Sequence, residues 1–124
     1  MMFVESLVNH INANTDLNVS MNIRTEDSVL LRIAPSSPDP FNMDMQHSKN
    51  FSFQILTKHS NQFLAYSWIE QISQLLHGLS YSDIQDDDYN LIVLEETTSP
   101  NFVETNSSNQ HIYTAIYNAE IIRK

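Results

Sequence analysis

Residues 50–79 contain the only long amphipathic helix that the sequence encodes. A strand runs directly into it, so the remaining segments must cover or extend this one unit. Phe51, Phe53 and Ile55 alternate with Ser52, Gln54 and Leu56, the period of a half-buried strand. Leu64, Ala65, Trp68, Ile69, Ile72, Leu75, Leu76 and Leu79 then form one stripe when successive residues are rotated by about 100°. Trp68 sits at the centre of that stripe. Asn61 is placed to cap the helix at its start and Gly78 to terminate it, with no proline between them.

A chain of 124 residues, 41% hydrophobic, can build one core and is too short for two ordinary domains, so residues 1–124 read as one domain. It has no cysteine, which excludes disulfides and thiolate metal sites. No window approaches the apolar length of a membrane span, and no basic segment followed by an apolar signal core opens the chain. The expectation is a soluble, non-secreted protein without membrane contacts. Fifteen acidic against six basic residues give a net charge of −9, which argues against specific nucleic-acid binding, because phosphate neutralisation needs clustered Lys and Arg. Gly78 is the single glycine, so no phosphate-cradling loop can be built.

Residues 2–13 carry Phe3, Val4, Leu7, Val8 and Ile11 at helical spacing and predict a first helix, ended by Asn12, Asn14 and Asp16. Leu17, Val19, Met21 and Ile23 alternate with polar residues and predict a strand. With residues 29–34 after a polar turn, it should form an antiparallel hairpin. Pro35, Pro38 and Pro40 exclude helix and central strand from residues 35–48. Phe41, Met43 and Met45 alternate with Asn42, Asp44 and Gln46 inside that stretch, either folding back on the sheet or meeting a partner. Residues 80–90 read as a polar connection. Leu91 to Leu94 predicts a strand covered on both faces and ended by Pro100, and residues 101–110 a polar loop interrupted by Phe102 and Val103. Residues 111–123 predict a long strand with Tyr113, Ala115, Tyr117, Ala119 and Ile121 on its core face. The resulting fold class is α+β, a mostly antiparallel five-stranded sheet with two helices packed on one face.

No catalytic, cofactor or metal constellation emerges from this pattern. His10, His47, His59, His77 and His111 lack metal-pair spacing, and Asp86, Asp87 and Asp88 lack the glycine and distal glutamate of a calcium loop. Glu95 and Glu96 are strand neighbours and point to opposite faces, so they cannot act as a paired acid and base. Phe63 departs from the pattern. It lies opposite the apolar stripe with Ser67, Glu70 and Gln74, and either packs on a neighbouring loop or belongs to a subunit interface.

Several runs resemble the small tail terminator proteins of long, non-contractile phage tails, often labelled minor capsid proteins in phages of Gram-positive hosts. These are Phe53-Gln54-Ile55-Leu56-Thr57-Lys58-His59; the helix with Gln62, Ala65, Ile69 and Ile72; Thr98-Ser99-Pro100-Asn101-Phe102-Val103 followed by Tyr113-Thr114; and Ile33-Ala34-Pro35. The family pattern often carries a glycine in the last loop, where residues 106–110 have none. The resemblance implies a non-enzymatic virion subunit, assembled in the bacterial cytoplasm without cofactors. It would form a homo-oligomeric ring, a hexamer, that caps the tail tube protein and meets the head connector protein. Phe41, Met43, Met45, Phe63, Phe102 and Val103 are then the expected ring contacts. The competing class is a non-enzymatic ligand-binding or adaptor domain, with Trp68, Tyr113 and Tyr117 lining a pocket.

Overall fold

The computed structural model describes residues 3–22, 26–33, 48–77, 84 and 89–123. Along the chain these form α1 (Phe3–Asn14), β1 (Val19–Ser20), β2 (Ser28–Ile33), β3 (Ser48–His59), α2 (Gln62–Leu76), β4 (Tyr89–Thr105) and β5 (His111–Arg123). The five strands make one sheet in the order β1-β2-β3-β5-β4. Every pairing is antiparallel except β1 with β2.

β3 and β5 form the spine, paired from Ser48 against Ile122 to His59 against His111. One face of this pair carries Phe53, Ile55 and Thr57 from β3 and Tyr113, Ala115, Tyr117, Ala119 and Ile121 from β5, all buried as the alternation predicts. α2 covers that face with Ala65, Ile69, Ile72 and Leu76. Burying each large aliphatic side chain of the stripe contributes about 1.5–3 kcal/mol. That packing, more than intrinsic propensity, holds a helix of 15 residues. α1 lies on the same side, where Phe3 meets Phe51 edge-on with centroids 5.8 Å apart. The α+β class, with both helices on one face, is therefore what the chain adopts.

Asn61 caps α2 as its position predicts, its side-chain oxygen accepting from the amides of Phe63 and Leu64. The buried Thr57 hydroxyl donates to the Ala65 carbonyl at 2.8 Å and fastens the first turn to the sheet. At the other end the His77 amide donates to the Ser73 carbonyl. Gly78 and Leu79 lie outside the described residues, as does the Asp86–Asp88 run. Ile84, within the polar connection, is buried in the core.

Four expectations are corrected. β1 and β2 do not form an antiparallel hairpin; they pair in parallel over two residues, Val19 with Val29 and Ser20 with Leu30. The cause is Asn12 at the end of α1, whose carboxamide both donates to the Val19 carbonyl and accepts from its amide. This grip seats Val19 in the core, and the strand ends after Ser20 with Met21 in solvent. β3 does not pair with β4, because β5 lies between them and splits the β-α-β unit. β4 does not stop at Pro100 but runs on to Thr105, which an edge strand permits because a proline needs no inter-strand donor on its free side. Leu91 and Leu94 are buried while Ile92 is exposed, so this strand is covered on one face only. Finally, Trp68 is half-buried, packed edge-on against His59 with centroids 4.8 Å apart.

β4 has 17 residues against 13 in β5, and four register shifts take up the difference, at Leu91/Val93, Glu96/Thr98, Thr98/Asn101 and Phe102/Glu104. These bulges bend the edge strand and redirect its side chains. The β4–β5 hairpin closes without glycine. Asn109 takes the left-handed conformation at φ 61°, which asparagine tolerates better than most residues. The Asn106 side chain accepts from the amides of Ser108 and Gln110.

Candidate assembly interface

The start of α2 and the last third of β4 meet at one end of the sheet, around Tyr113. The Tyr66 ring lies 5.6 Å from that of Tyr113 on one side, and the Phe102 ring lies 5.5 Å away on the other, both edge-on. The Tyr113 hydroxyl accepts from Gln62 Nε2 at 3.1 Å, which fixes the central ring. Tyr113 is only 9% exposed, whereas Phe102 is 49%, Val103 48%, Tyr66 46% and Phe63 85% exposed. A ring system that is rigid underneath and open above is suited to a contact, since ordering it on binding costs little side-chain entropy. The Tyr66 hydroxyl hydrogen-bonds to Glu70 one turn on, and that carboxylate raises the tyrosine's pKa. The patch thus has an acidic margin on α2, and Glu104 supplies another on β4.

Of the six residues expected to make contacts, the structure places Phe63, Phe102 and Val103 in solvent. Phe102 shares the platform, and Phe63 stands one turn before Tyr66 on the same helix. Phe102 and Val103 belong to a strand and not to a loop. Phe41, Met43 and Met45 lie outside the described residues. Sequence reasoning missed Tyr66 and Tyr113 as parts of the platform, although Tyr66 stands at the border of the helical stripe, where a half-exposed ring belongs.

A second polar cluster holds this end of the sheet together. The Asp27 carboxylate accepts from the Ser60 amide at 3.1 Å and from Gln110 Nε2 at 3.0 Å, and it lies 3.5 Å from His59 Nε2. His59 Nδ1 accepts the Asn61 amide at 2.8 Å, so Nε2 carries the ring proton that faces Asp27. The Gln110 hydrogen bond, helped by His59, holds the Asp27 pKa below its usual value.

The pocket expected from Trp68, Tyr113 and Tyr117 does not form. Tyr117 is fully buried and stacked on Phe53 at 5.2 Å, and burial pushes its hydroxyl far above the usual tyrosine range. Trp68 instead borders an open cleft of about 720 Å³ near Asp16 and Asp27. Glu96 is engaged by the Ser73 hydroxyl across the helix–sheet interface. Among the described residues no three His, Asp or Glu side chains converge as metal ligands, and no helix is long and apolar enough to cross a membrane.

An α+β subunit with a rigid aromatic platform at one end of its sheet belongs to the class of proteins that act by association. The sequence profile of the bacteriophage tail terminator protein family matches residues 13–122, and the chain belongs to that family. No curated protein matches it. The family is a structural, non-enzymatic kind, so the chain is a virion component that associates with other phage tail or head proteins.

Proposed function

We propose that the protein is the subunit of a ring, a hexamer, that caps the tail tube, stops its growth and presents its opposite surface to the head connector. The observation that carries this reading is the platform of Tyr66, Tyr113 and Phe102 with Phe63 beside it. This aromatic surface is out of proportion to what the subunit's own core needs. Aromatic side chains are enriched where subunits meet, and large exposed patches of them mark contacts. Phe63, Phe102 and Val103 are assigned to the contact, together with Phe41, Met43 and Met45 from the proline-rich stretch. The excess of acidic residues supports a DNA passage whose wall repels the duplex.

The test is the mass of the protein by light scattering, alone and after co-sedimentation with tail tubes, beside a Phe63→Ser, Phe102→Ser double variant. A parent that assembles or binds tubes, with a variant that stays monomeric and unbound, is the expected result. A variant that assembles as well as the parent would remove these residues from the interface. A parent that remains monomeric and ignores tubes would sink the ring.

A further inference from the structure

Residues 34–47 leave and rejoin the sheet far from the aromatic platform. Ile33 pairs with Phe53, and Ser48 pairs with Ile122, near the end of β5 remote from Tyr113. Nine residues of β5 separate Ile122 from Tyr113, which is about 30 Å at a strand's rise of about 3.3 Å per residue. Met43 and Met45 precede Ser48 by five and three residues, so a fully extended chain keeps their Cα atoms within about 17 and 10 Å of it. They cannot touch their own platform, even with both side chains outstretched. Two apolar surfaces of one subunit, the alternating Phe41, Met43, Met45 edge and the platform, are thus tethered apart.

We infer that residues 41–46 of one subunit lie extended across the platform of the next copy of this chain, with Phe41, Met43 and Met45 against Tyr66, Tyr113 and Phe102. In an extended segment these three residues share one edge, while Asn42, Asp44 and Gln46 share the other. Thioethers pack well against aromatic rings. Glu70 and Glu104 flank the platform and repel the edge that carries Asp44, which sets the segment's facing. The contact joins two different surfaces, so it is heterologous, and such contacts build closed rings when the rotation between subunits closes. The inference rests on the ring reading and specifies which surfaces make the ring.

The chain has no cysteine, which makes cross-linking clean. Subunits carrying Met43→Cys are co-expressed with subunits carrying Val103→Cys and oxidised; Met45→Cys with Phe102→Cys covers a shifted register. The expected product is a covalent dimer from the mixed subunits, absent when Met43→Cys is paired with Met21→Cys, exposed on the far edge of the sheet. When both substitutions sit in one chain, a ladder of covalent oligomers replaces the monomer. Three results would overturn the inference: Met43→Cys subunits linking to each other as readily, the doubly substituted chain closing on itself as a monomer, or equal linkage to Met21→Cys. An oligomeric parent that forms neither linked pair removes this contact and leaves the ring standing. A parent that is monomeric both alone and with tubes removes the ring, and this contact with it.

Discussion

Two aromatic clusters occupy the same face of the sheet and differ in what covers them. Phe3, Phe51, Phe53 and Tyr117 run under the helices with ring centroids between 5.2 and 6.0 Å. Tyr66, Tyr113 and Phe102 are spaced almost identically, at 5.5 and 5.6 Å, yet open to solvent. The geometry of ring packing therefore does not distinguish core from contact surface. What differs is the layer above. α1 and the middle of α2 close the first cluster, whereas the second lies where α2 begins and nothing among the described residues follows it. The first cluster holds the subunit together, and the second is left for a neighbour.

The comparison breaks most visibly at Phe53. Phe53→Ala removes a fully buried ring stacked on Tyr117 and should cost about 3–5 kcal/mol, read as a lower urea midpoint with an unchanged slope. A loss below about 1 kcal/mol would mean that the first cluster is not the core. Thr57→Val tests the join between the clusters, because Thr57 pairs with Tyr113 and its hydroxyl ties β3 to the first turn of α2. Losing that bond should cost about 1–2 kcal/mol and speed hydrogen exchange at the start of α2 more than at Ile72. Phe63→Ser should change monomer stability by less than about 0.5 kcal/mol, as exposed substitutions do, while still weakening assembly. A destabilised monomer would show that Phe63 packs within its own subunit.

The smallest effect is expected at Asp27, which ties the open end together. Its folded pKa lies below the ordinary carboxyl value of 3.8, chiefly through the Gln110 hydrogen bond. Its stabilisation is therefore complete above that value and is lost as the pH falls through the lower folded value. The site is substantially solvated, so the effect is modest. Asp27→Asn should flatten part of the acid limb of a melting profile. An unchanged limb would remove Asp27 from the stability of this end.

The sequence made the spine and the long helix legible because β3, β5 and α2 each keep an unbroken period and bury one face. It hid the β1–β2 arrangement, since the direction of that pairing depends on one carboxamide, Asn12, reaching across from α1. It also hid the far half of β4. Four bulges destroy the alternation there, so Phe102 and Val103 read as residues of a loop. Phe63 was legible as an aromatic on the wrong side of a helical wheel. The platform it adjoins was not, because Tyr113 has the parity of a core residue and its neighbours are set by tertiary packing.

The extra residues of β4 bear on a hazard that any self-associating sheet protein faces. A straight edge of 17 residues would offer a regular row of amides and carbonyls on which further chains could zip without limit, as in a fibril. Pro100 removes one amide from the row, and each bulge throws the spacing out of step. No straight strand can match more than a few consecutive groups before falling out of register. Uncontrolled sheet growth is thus discouraged by the backbone, and the choice of neighbour passes to side chains, which can specify a count.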